Sequence, residues 1–120
     1  MTGYYQLIEG HQGDFMFRLR AGNHETILQS GVYWSRLAAL DAVAAVRVCS
    51  QVPERYAQRE GIDGQHHFDL LDTGGKTLAR SPVCSSRSGL SAGIASVQRN
   101  APSTTFRGLV RCNLSMGVSR

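Results

Sequence analysis

The sequence predicts an α+β fold: a tandem repeat of β-β-β-α(-β) units forming an antiparallel sheet with two helices packed on it. Three observations carry that expectation. The chain aligns on itself, without a gap, when shifted by 51 residues. A strand-like alternation over Phe15 to Arg20 recurs over His66 to Leu71. A helix-like apolar stripe, Ala39-Val43-Val46, recurs as Leu90-Ile94-Val97, and the two stripes are followed by Pro53 and Pro102.

The shift yields thirteen identical pairs, among them Tyr5/Tyr56, Gly13/Gly64, Phe17/Phe68, Leu19/Leu70, Ser30/Ser81, Ser35/Ser86 and Val46/Val97. One fixed register yields few such matches by chance, so a duplication is the organising fact. Repeat one is read as residues 1–53, repeat two as 54–112, and 113–120 as a frayed tail. A half of about 50 residues is marginal alone, so the halves are expected to share one core.

Each element has a local reason. Tyr4 to Ile8 is an aromatic and aliphatic run suited to a strand. Gly10 to Asp14 supplies turn residues. In Phe15 to Arg20 the residues Phe15, Phe17 and Leu19 point one way and Met16, Arg18 and Arg20 the other, the pattern of a half-buried strand. Ala21 to Glu25 makes the next turn and Thr26 to Ser30 a third strand. Ser35 is placed to cap a helix over Arg36 to Cys49, its hydroxyl accepting from an orphan first-turn amide.

Repeat two reads alike. Glu54 to Glu60 is polar apart from Tyr56, which predicts an edge strand. Gly61 to Gln65 turns into His66 to Leu71, Asp72 to Gly75 turns into Lys76 to Arg80, and Ser86 caps a helix to Asn100. Gly93 aligns with Ala42, which predicts a close approach of helix to sheet at that level. Thr104 to Arg111 is read as a closing strand.

Composition bounds function. No apolar run reaches the ~18 residues of a membrane span, and the N-terminus lacks signal-peptide character. A cytoplasmic protein without a membrane partner is therefore expected. Cys49, Cys84 and Cys112 are odd in number and form no Cys-x-x-Cys pair, which fits a reducing compartment. Net charge is +4, and every basic residue but Lys76 is Arg. The arginines are scattered, which weakens a nucleic-acid reading without removing it.

Few residues suggest chemistry. His66 and His67, with His11 or His24, suggest a metal set only in composition, because neighbours on a strand point to opposite faces. Gly75-Lys76-Thr77 lacks the earlier glycine of a phosphate loop, whose place is taken by Leu70. Cys84 stands before a helix start, but no base is placed beside it. Neither a catalytic residue, a metal nor a cofactor is expected. Arg18, Arg20, Arg36 and Arg87 form a candidate anion-binding set, against the plainer reading of solvated surface charge. Tyr4, Tyr33 and Trp34 offer rings for base stacking but match no RNA-binding spacing.

The most informative irregularity is on the first helix. Leu37, Leu40, Ala44 and Val48 form a second apolar face, and the aligned residues of the second helix are Ser88, Ser91, Ala95 and Arg99. An apolar face that the fold does not need points to a partner, with cover by the C-terminal tail as the alternative.

The chain also resembles a known family. Gly3-Tyr4-Tyr5, Phe15 to Asn23, Ile27 to Ser30, and Gly93-Ile94-Ala95-Ser96-Val97-Gln98-Arg99-Asn100-Ala101-Pro102 together are similar to the YegP-like family of small bacterial proteins. The resemblance implies three strands, a helix and a further strand per repeat, two repeats or two subunits forming one sheet with C-terminal strands exchanged between them, and Glu54 to Glu60 both leaving repeat one and entering repeat two. It implies no activity or catalytic residue. The chain departs from the family at Asn23-His24 and Gly74-Gly75, where an Asn-Gly turn is usual, and in its first helix. The functional expectation is a non-enzymatic binding or protein-interaction module, self-associating or with a protein partner. A basic nucleic-acid-associated protein is the alternative.

Overall fold

The computed structural model describes residues 3–111. In chain order it has β1 (Tyr4–Glu9), β2 (Phe15–Arg20), β3 (Thr26–Gln29), α1 (Arg36–Cys49), β4 (Tyr56–Glu60), β5 (His66–Leu71), β6 (Thr77–Arg80), α2 (Arg87–Asn100) and β7 (Phe106–Arg111). All seven strands form one sheet, in the order β4-β5-β6-β3-β2-β1-β7. The repeats therefore meet at β3 and β6, joined by the pair Gln29 and Arg80.

One expectation is corrected here. The sheet is mixed, because β7 runs parallel to β1 while the other neighbours are antiparallel. The cause is topological. After α2 the chain crosses to the far edge of repeat one, so repeat two closes the sheet on repeat one, the exchange expected of the family. The equivalent segment after α1 makes a short 3-10 turn at Pro53–Arg55 and becomes β4 itself. One strand thus serves as both exit and entry, and β4 is left at an edge as expected. Residues 113–120, read as a tail, lie outside the described residues, as does Cys112.

The helices start where their caps dictate. Ser35 Oγ accepts from the Ala38 amide at 3.0 Å and Ser86 Oγ from the Gly89 amide at 3.1 Å. Their buried residues, Ala39, Val43 and Val46 on α1 and Leu90 and Val97 on α2, join Tyr5, Phe17, Leu19, Leu28, Phe68 and Leu70 of the sheet. Each fully buried Leu, Val or Phe contributes about 1.5–3 kcal/mol. The packing crosses the repeat boundary: α1 lies against β5 and β6 as well as β2, and α2 against β3 as well as β5. Neither half can bury its helix alone.

The duplication extends to fine detail. The ladder slips at Leu19/Arg20 and again at Leu70/Leu71. Ser30 Oγ accepts from the Phe17 amide at 2.9 Å, and Ser81 Oγ from the Phe68 amide at 3.0 Å. The β2–β3 and β5–β6 turns both need positive φ, at His24 (φ 72) and Gly75 (φ 86). Glycine adopts it freely, whereas His24 carries strain of roughly 1 kcal/mol. A hydrogen bond between Tyr4 OH and His24 Nδ1, at 2.7 Å, holds that residue in place.

Candidate functional site

Both helices cover the sheet face that carries Phe17, Leu19, Leu28, Phe68 and Leu70. Two surfaces are left to act: the outer side of the helices and the opposite face of the sheet.

On the helix side the predicted apolar face is largely exposed. Leu37 and Val48 are each 69% exposed, Ala44 is exposed, and Leu40 is half-buried. Sequence reasoning leaves out one contributor. Trp34, directly before the Ser35 cap, is 71% exposed and adds a large apolar side chain at the start of α1. Its counterpart in repeat two is Ser85. Of the three rings considered for stacking, Tyr33 lies against Phe17 with centroids 6.3 Å apart, and Tyr4 is buried. Of the three, Trp34 alone is open.

The predicted arginine set divides. Arg18 and Arg20 lie on the open sheet face, where Arg18 Nε donates to Gln29 Oε1 at 3.2 Å and Arg20 Nε to Gln6 Oε1 at 2.7 Å. Arg36 and Arg87 are the first residues of the helices. The Arg36 guanidinium stands 5.9 Å from the Phe15 ring, on the other side of the sheet, so the four do not form one site. Asp69, buried on the open face, accepts from Arg80 Nε at 2.8 Å and Arg59 Nε at 3.2 Å. Burial pushes its carboxyl up, but the hydrogen bonds from Arg80 and Arg59, together with the charges of Arg80 and His67, outweigh this and hold it below the ordinary value.

Other chemistry is thin. No group of three or more His, Cys, Asp or Glu among the described residues is arranged to hold a metal ion. Cys49 is buried, and Cys84 is a free thiol whose backbone bridges His66. A shallow polar hollow of about 540 Å³ lies between the β2–β3 turn (Ala21, Gly22, Asn23, Glu25) and the end of α2 (Ser96, Arg99, Asn100). There two of the four stretches that carry the family resemblance, Phe15 to Asn23 and Gly93 to Pro102, meet. Asn100 Nδ2 donates to the Ser96 carbonyl at 2.7 Å, and a Cβ on Gly3 would collide with Asn100. That explains a structural need for glycine and asparagine at those positions.

A family model for a domain of unknown function, DUF1508, matches the chain twice, over residues 11–56 and 62–107. The chain belongs to the YegP-like family. It is 34% identical over 107 residues to the UPF0339 protein YegP of Escherichia coli K12, covering 89% of this chain and 97% of YegP. It is 37% identical over 102 residues to a UPF0339 protein of Bordetella pertussis, covering 85% of this chain and 91% of the relative. The solution NMR structure of E. coli YegP, a protein of unknown function, superposes with TM-score 0.85 at 32% identity, covering 92% and 95% of the two chains. That of SO3888 from Shewanella oneidensis gives 0.86 at 30% identity, covering 92% and 93%. No described helix is long and apolar enough to cross a membrane.

Proposed function

We propose that the chain is a non-enzymatic protein-interaction module that pairs with a second copy of itself through the outer face of α1. The observation that supports this is the exposure of Leu37, Ala44 and Val48 along α1, with Trp34 just before its cap, where the duplicated segment presents Ser88, Ala95, Arg99 and Ser85. The duplicated helix carries a polar face at these positions within the same fold, so folding does not require the apolar one. Leaving Leu and Val side chains in water forgoes about 25 cal/mol for each Å² of apolar surface. A twofold contact between antiparallel helices sets Leu37 of one copy near Val48 of the other. Ala44 near the axis lets the backbones approach, and isologous dimers are the commonest assembly.

Sedimentation velocity over a concentration series tests the reading. The wild-type chain is expected to shift to dimer as concentration rises. Leu37→Arg with Val48→Arg is expected to stay monomeric with an unchanged far-UV circular dichroism spectrum, since both positions are exposed. A wild-type monomer throughout the series would sink the proposal.

A further inference from the structure

The open sheet face carries a regular array that uses residues from both repeats. The register places Gln6, Arg18, Gln29, Arg80, Asp69 and Ala57 opposite one another in a single row across β1, β2, β3, β6, β5 and β4. Arg20 and Arg59 share that face with Arg18 and Ala57 by strand alternation. On β7 the Arg107 guanidinium lies 4.7 Å from the ring of Tyr4, which pairs with Arg20. Arginines therefore stand on β7, β2, β6 and β4 of the sheet. The other strands supply what holds them: Tyr4 and Gln6 on β1, Gln29 on β3 and Asp69 on β5.

Four of these five arginines are tied through Nε. Arg20 is fastened a second time, donating from Nη1 to the His24 carbonyl. Such tethering fixes the direction of each guanidinium before any ligand arrives, which reduces the ordering cost of binding. Arg59 and Arg80 remain 53% and 61% exposed although both touch Asp69. Within the row Asp69 alone is a carboxylate. Neighbouring strands lie about 4.8 Å apart, so the array from Arg107 to Arg59 spans about 30 Å.

We infer that this face binds the phosphate backbone of a single-stranded nucleic acid lying across the strands. Guanidinium groups recognise phosphate through paired N–H donors. A flexible single strand can follow the twist that accumulates across seven strands, whereas a stiff duplex cannot bend to it. The large exposed hydrophobics among the described residues, Val32, Trp34, Leu37, Val48, Ile62, Val83 and Phe106, include no open-face residue of β1 to β6, so those six strands offer no anchor for a lipid surface. The open-face ring Tyr4 is buried and that of His67, opposite Arg59, is half-buried, so recognition runs chiefly through the backbone, with little dependence on sequence.

The test uses the full chain and a labelled thymidine oligonucleotide of about twelve residues, followed by fluorescence anisotropy. Four phosphate contacts predict that affinity falls about fiftyfold between about 50 and about 200 mM salt. Arg18→Gln with Arg107→Gln bares no carboxylate, and it is expected to weaken binding about tenfold or more and to flatten the salt slope. Arg36→Gln, on the helix side, removes the same kind of charge and is expected to leave binding unchanged. In NMR spectra of the wild-type chain the oligonucleotide should shift the Nε–H signals of Arg18, Arg20, Arg59 and Arg80, a readout that needs no variant. Any of three results overturns the inference: no binding at the lower salt, equal weakening by Arg36→Gln, or tighter binding to a duplex of the same length or to phosphatidylglycerol vesicles.

Discussion

The Tyr5 hydroxyl donates to the Ala101 carbonyl at 2.7 Å, joining the first strand of repeat one to the end of the repeat-two helix. The duplicated bond runs the opposite way, from Tyr56 OH to the Ser50 carbonyl at 2.8 Å. Each repeat thus fastens the helix end of the other. Tyr5→Phe is expected to cost about 1–2 kcal/mol in chemical denaturation, because a buried carbonyl loses its donor. Tyr56→Phe should cost less, its bond being part-buried. Both phenols are raised above their ordinary value of 10.0, chiefly by burial. A raised folded value means that their stabilisation is intact below about pH 10 and changes only as pH rises further, where the unfolded chain ionises first and is favoured. In an alkaline titration followed by phenolate absorbance, Tyr5 and Tyr56 should ionise only together with loss of structure. Smooth ionisation of every tyrosine in a folded chain would contradict this.

Asp69 gives the acid limb. Burial pushes its carboxyl up, yet it is held below the ordinary 3.8 because the hydrogen bonds from Arg80 and Arg59 and the charges of Arg80 and His67 together exceed that push. A depressed folded value contributes stability that is present above about pH 4 and is lost as pH falls through the folded value. Asp69→Asn should cost about 1 kcal/mol at neutral pH, a modest figure because both guanidiniums are largely solvated. Below about pH 4 the variant and the wild type should converge. Denaturation midpoints across pH check this, and a constant gap down to the lowest pH would count against it.

Gly93 lies where α2 presses on the sheet, and a Cβ there would stand 3.3 Å from Phe68 Cε2. Gly93→Ala should be close to neutral, since a gain in helix propensity of about 1 kcal/mol offsets the crowding. Gly93→Val should cost about 2 kcal/mol, because the buried Phe68 ring must move. Thermal melts of the two variants decide the matter, and a Val variant as stable as wild type would show that the core yields there.

Much of this fold is legible in the sequence because the duplication samples each element twice. Phe15 to Arg20 and both helices fall at their expected bounds, since alternation, serine caps and helix-stopping prolines agree there. The parallel placement of β7 is not legible, because pairing direction follows from where the chain crosses and not from any residue in Phe106–Arg111. The α1 face can be read from spacing alone, but Trp34 precedes the helical period and escapes it. Arg18 and Arg20 group by alternation within one strand. Their companions Arg59, Arg80 and Arg107 sit on three other strands. Only the register that carries Gln29 opposite Arg80 brings the two repeats' arginines into line.

The pairing of β7 with β1 also sets an order of events in biosynthesis. The outer neighbour of β1 is made after the six other strands of the sheet, so Tyr4–Glu9 waits with one flank bare until translation has passed Arg111. During that interval the nascent chain exposes the aromatic-rich segment Tyr4-Tyr5-Gln6-Leu7-Ile8, a ready template for mispairing with a neighbouring chain. Slow decoding of the second half should therefore lower soluble yield more than slow decoding of the first.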